Sequence, residues 1–125
     1  MRKQKRVHPA IEQFNLHNSK VLRLTIDQKA FEITGTSEKP FELRKSSNWI
    51  KSRLFRRAPS GVLIPKNIDF VLLTNGYGDH RPWKLFRFSG IEVLQQNVMW
   101  SFSNGLTFET TTGDYKILLG EALTD

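Results

Sequence analysis

"SEKPFELRKSSNWIKSRLFRR", Ser37–Arg57, reads as a strand followed at once by a helix, and the rest of the chain is understood from it. In "PFELRK" the period-2 alternation puts Phe41 and Leu43 on one face and Glu42 and Arg44 on the other. Ser46 or Ser47 then supplies the side-chain oxygen that caps a helix running to about Phe55. Within that helix Ile50 and Leu54 lie i,i+4 on the buried side. Lys45, Trp49, Arg53 and Arg56 form a second stripe, with Arg57 beside it. One carboxylate, Glu42, thus stands among cations, and the cations are interleaved with aromatic rings.

Upstream, "KVLRLTID" alternates Leu22, Leu24 and Ile26 with Arg23 and Thr25, the pattern of a half-buried strand. Asp27 can cap a short helix, "QKAFEIT", that Gly35 closes. Residues 1–18 carry Arg2, Lys3, Lys5, Arg6 and Pro9 without sustained periodicity. They are read as a flexible basic arm with one helical turn around Ile11 to Phe14.

Downstream, "RRAPSGVLIPKN" reads as an irregular connection because of its prolines and glycine. "DFVLLTN" is a continuous apolar run suited to a central strand, and "NGYGDHRP" is a turn. "WKLFRFSGIEVL" is a long strand with a bend or bulge at Gly90. Three short strands follow, broken at Ser103-Asn104-Gly105 and Thr112-Gly113-Asp114. The expectation is one α+β domain over residues 19–125. It would be a small β-barrel of five to six strands with two short helices, its core built on Leu22, Leu24, Ile26, Phe41, Leu43, Val71, Phe86, Phe88 and Leu118.

The 125 residues suffice for one core without covalent staples, and the chain has no cysteine, which excludes disulfides, thiolate metal sites and a Cys nucleophile. No apolar run approaches the roughly 20 residues that span a bilayer, and no secretory h-region follows Met1. A cytoplasmic monomer without cofactor or membrane contact is expected. The net charge of +7 is uneven: residues 1–66 hold 15 Lys and Arg against 5 Asp and Glu, and residues 67–125 hold 4 against 7. Such a field favours an anionic partner, of which RNA or another single-stranded nucleic acid or nucleotide is the expected one. A merely solubilising surface is the plain alternative.

The order of strand, short helix and Ser37-Glu38-Lys39-Pro40-Phe41-Glu42-Leu43-Arg44 resembles the ASCH domain family, small barrels of the PUA-like kind. Ser37 stands where the family usually has glycine, and "YKILLGEAL" is similar to the family's last strand. The resemblance covers roughly residues 19–121. It implies a cleft between barrel and helices that receives RNA, a nucleotide or a modified nucleoside. In one branch, an amidohydrolase of N4-acetylcytidine, the motif lysine supports a threonine nucleophile two residues before the motif arginine. Lys39 and Arg44 match those positions, but Glu42 occupies the threonine's place, and a carboxylate does not replace a hydroxyl in that mechanism. Binding is therefore the expected function, with hydrolysis of RNA or of a modified nucleoside as the alternative.

The candidate site joins Lys39, Glu42 and Arg44 with Lys45, Trp49, Arg53, Arg56 and Arg57, and with Tyr77 and Arg81 as a lip. Arg44 would hold a phosphate or carbonyl oxygen. Glu42 would read a base's exocyclic amine, or act as general base with Lys39 as point charge or proton donor. The plain readings are a surface charge pair for Glu42 and Arg44, a solvated helix face for the basic stripe and a tight hairpin for "NGYGDHRPW". His8, His17 and His80 are isolated, so no metal site is expected.

Overall fold

The alternation in "VLRLTI" does produce a strand, β1 (Val21–Ile26), and Asp27 ends it by turning the chain into α2. The Asp27 carboxylate accepts the Ala30 N–H at 2.9 Å, and α2 runs Gln28–Ile33. Before β1 lies α1 (Pro9–Gln13), started by Pro9 and capped by His8. After α2 come β2 (Phe41–Arg44) and α3 (Asn48–Leu54), capped by Ser47. The chain continues through β3 (Phe55–Arg57), β4 (Leu63–Pro65) and β5 (Phe70–Asn75) to β6 (Trp83–Val93), β7 (Val98–Ser101), β8 (Thr107–Thr110) and β9 (Tyr115–Ala122). The computed structural model describes residues 7–78 and 80–123.

Five strands form one curled sheet in the order β1-β5-β6-β9-β2, a half-barrel with few short helices, so the fold is α+β. β1 and β5 are parallel and the other pairs antiparallel. The two edges, β1 and β2, do not pair with each other, so the backbone ladder stays open. β6 is bent by register shifts on either side of Phe88, next to Gly90 at φ 136°. Such bulges increase local twist and help the sheet curl.

Three expectations are corrected. The curled sheet has five strands, within the expected five to six, but among the described residues two further hairpins, β3–β4 and β7–β8, lie outside it and there are three short helices rather than two. The "irregular" Arg56–Asn67 region is a hairpin of β3 and β4, in which prolines occupy the turn and the strand end, where no ladder donor is lost. The proposed arm, residues 1–18, lies outside the described residues over 1–6. From residue 8 onward it is packed: Ala10 and Leu16 are buried against Leu72 and Leu85, with Trp83 beside them. β5 explains this, because Val71 and Leu73 face the inner core while Leu72 faces outward and needs a cover.

The core is also divided. Leu22, Leu24, Ile26, Val71, Phe86, Ile117 and the α3 residues Ile50 and Leu54 fill the concave side, with Phe88 packed at its margin. Phe41, Leu43 and Leu118 belong instead to an outer cluster under the β7–β8 hairpin, with Trp100, Phe102 and Phe108. β2 thus shows apolar side chains to the hairpin and polar ones to the interior.

Candidate nucleotide-binding cleft at the open edge of the half-barrel

Glu42 pairs across the ladder with Ile117 and Arg44 with Tyr115, both members of the inner core, so the two charged side chains point into the concave face. Lys39 joins them through a tight turn. The Gly35 N–H donates to the Lys39 carbonyl at 2.8 Å, and Thr34 and Lys39 form an isolated bridge. Gly35 sits at φ 93°, and a Cβ there would lie 2.2 Å from the Phe86 ring, so backbone and packing both demand glycine.

The turn brings the Lys39 ammonium, at 2% exposure, to within 2.6 Å of the Thr34 hydroxyl and 3.3 Å of Glu42 Oε1. The other Glu42 oxygen accepts from Arg44 Nε at 2.9 Å. Arg44 then donates through Nη2 to the Thr25 carbonyl of β1 at 2.8 Å, so its side chain crosses the gap that the backbone leaves open. Burial pulls the Lys39 amine below its ordinary range, while the Glu42 charge beside it pushes the other way.

This network forms one wall of a cleft of about 380 Å³ between the edges of β1 and β2. Ile26, Ala30, Leu43, Ile50, Leu106 and Phe108 make most of the lining apolar, and Trp49, 48% exposed, stands at its margin. Thr25, Asp27 and Ser47 add polar atoms. A mostly apolar cleft with a few convergent polar groups, in the range of about 300–1,000 Å³, is the form of a small-molecule site.

Of the residues expected to meet a ligand, Lys39, Glu42, Arg44, Lys45 and Trp49 line this cleft together. Lys45 is committed in part: its ammonium lies 2.7 Å from Asp114. Arg53 and Arg56 line a different groove, which they share with Trp49, and Arg56 belongs to β3 rather than to the helix. Arg57 donates to the Gly61 carbonyl within the β3–β4 hairpin and lines neither. Tyr77 is 89% exposed in the β5–β6 turn and Arg81 donates to the Asn75 carbonyl at 2.6 Å, so neither forms a lip to the cleft.

Sequence reading missed Thr34 and the Thr25 carbonyl, whose contacts depend on the turn at Gly35 and on the curl of the sheet. It also missed Leu106 and Phe108, which arrive from a hairpin distant in sequence. Among the described residues no group of three His, Cys, Asp or Glu could hold a metal ion, and no helix is long and apolar enough to cross a membrane. No family model matches the chain, and no curated protein or solved structure matches it. The likeness to ASCH domains therefore rests on the sequence alone, on the order of strand, short helix and Ser37–Arg44 together with the closing strand.

Proposed function

We propose that the chain is a nucleotide- or RNA-binding domain of PUA-like character, with the β1–β2 cleft receiving one base and its sugar. The observation that carries this reading is the Lys39–Glu42–Arg44 network at the wall of an otherwise apolar cleft. Buried ion pairs contribute little net stability over apolar packing, so three coupled charges on a ligand-sized opening point to recognition. Trp49 and Phe108 offer aromatic surface to a heterocycle, and Arg44 offers a guanidinium to a phosphate or carbonyl oxygen.

The second reading is hydrolysis of RNA or of an acylated base, and one observation favours it: burial lowers the Lys39 amine from its ordinary value, the direction that proton transfer by a lysine requires. Against it, both Glu42 oxygens already accept from cations. Calorimetric titration with the mononucleotides and modified nucleosides tests binding. Arg44→Ala is expected to weaken the preferred ligand by about 1.5–3 kcal/mol, the range for a hydrogen bond to a charged group. Equal affinity in wild type and variant removes the proposal. Chromatography of the same mixtures after incubation decides between the readings: intact ligand supports binding, and product that vanishes in Lys39→Ala establishes hydrolysis.

A further inference from the structure

A second groove, about 700 Å³ in volume, shares the Trp49 side chain with the cleft. Three separate segments bring cations to it: Lys20 and Arg23 at the start of β1, Arg53 and Arg56 at the α3–β3 junction, and Lys66 after β4. All five side chains are exposed. Among the described residues none of the five makes an ion pair, and no carboxylate lines the groove. Asp69, close by, accepts the backbone N–H of Lys20 at 2.8 Å and leaves the ammonium unpaired. The Arg53 guanidinium lies 5.1 Å from the centre of the Trp49 ring, one helical turn away. Like charges gathered from three parts of the chain repel one another and raise the local potential for an anion.

We propose that this groove carries the sugar–phosphate backbone of a single nucleic-acid strand, one of whose bases enters the cleft, with Trp49 as the stacking point between the two. The inference rests on the nucleotide reading of the cleft and extends it from a free nucleotide to a strand. A single strand fits because an exposed tryptophan stacked on an arginine takes an unpaired base, while adjacent cations follow the phosphates. An acidic peptide would use the cations and leave the indole without a role.

The test compares the four mononucleotides with six-nucleotide RNAs of each base, on wild type and on the triple variant Arg23→Ala/Arg56→Ala/Lys66→Ala. The best hexamer is expected to bind at least about tenfold tighter than its mononucleotide, because linked contacts add to the first. If five cations neutralise phosphates, its affinity falls roughly 100-fold between 50 and 200 mM salt, from a slope of about −0.7 per single-strand phosphate. In the triple variant the same salt change costs only about sevenfold, since two cations remain, while mononucleotide affinity is unchanged.

A hexamer that binds no tighter than its mononucleotide overturns the groove and leaves the cleft reading standing. So does a variant that keeps the wild-type salt dependence. Mononucleotides that fail to bind while hexamers keep the steep, variant-sensitive dependence support the groove and count against the cleft. Displacement of the hexamer by oligo-glutamate at equal charge overturns the assignment to nucleic acid. The wild-type salt titration stands whether or not the triple variant folds, and a thermal melt checks the latter.

Discussion

Glu42, 4% exposed, is held between Lys39 at 3.3 Å and Arg44 at 2.9 Å, and that position decides what each substitution costs. Replacing Glu42 with Gln leaves the buried Lys39 ammonium with Thr34 as its strongest remaining polar partner, and breaking a buried pair in this way costs about 3–5 kcal/mol. Lys39→Met leaves Glu42 still bound to Arg44, and its cost is expected at about 1–3 kcal/mol. Urea unfolding at neutral pH orders the two variants, and the reverse order contradicts the assignment. The alkaline limb gives a second readout. Burial lowers the Lys39 amine below 10.5, so between its folded and unfolded values the unfolded chain binds more protons and stability rises with pH. Glu42→Gln removes the charge that supports the ammonium, so the rise should begin at lower pH. The spacing of Glu42 and Arg44 put them on one face in the sequence, because strand periodicity is local. Lys39 lies before Pro40, outside β2, and the sequence gives no geometric reason for its arrival, which depends on Gly35 and Phe86.

Among the elements, α2 and α3 were legible because each has a capping side chain ahead of a periodic apolar pair, Asp27 and Ser47. The β3–β4 hairpin was not, because Pro59 and Pro65 mask strands only three residues long. A loop does comparable work between β8 and β9. There Asp114 accepts from Lys45 at 2.7 Å and from the N–H groups of Ser46 and Thr111, each at 2.8 Å, joining this turn to the segment before α3. Burial opposes its ionisation, but the hydrogen bonds from Lys45, Thr111 and Ser46 prevail and hold the carboxyl at about 2, against an ordinary 3.8. Because the folded value is the lower, this stabilisation is present above pH 3.8 and is lost as pH falls through about 2. Wild type should therefore lose about 1–2 kcal/mol more than Asp114→Asn between pH 5 and pH 2, allowing for the half-exposed lysine. Parallel acid profiles for the two proteins would show that the turn carries no such coupling.

At the scale of the whole molecule the apolar run Phe70–Asn75 is an interior strand, as its composition indicates, and its burial makes a demand that composition does not show. A strand buried on both faces needs a layer on each, and the N-terminal segment supplies the outer one through Ala10, Phe14 and Leu16. Its Lys and Arg content drew attention to charge, while its few apolar residues lacked the period that announces a helix. Leu16→Ala is expected to cost about 2–5 kcal/mol, as for other buried leucines. A change under about 0.5 kcal/mol, typical of a surface position, would return the segment to the status of a free arm. On the other face of the sheet β1 and β2 stay unpaired, and the gap between them is the proposed nucleotide site. Amide and indole chemical shifts recorded while mononucleotides are added test it most directly. A nucleotide in the cleft gathers the perturbations on residues 25–27, 39–50 and 106–108, with the Trp49 indole among the largest. Perturbations confined to the Gly76–Pro82 turn or the β3–β4 hairpin, or none at millimolar nucleotide, would contradict it.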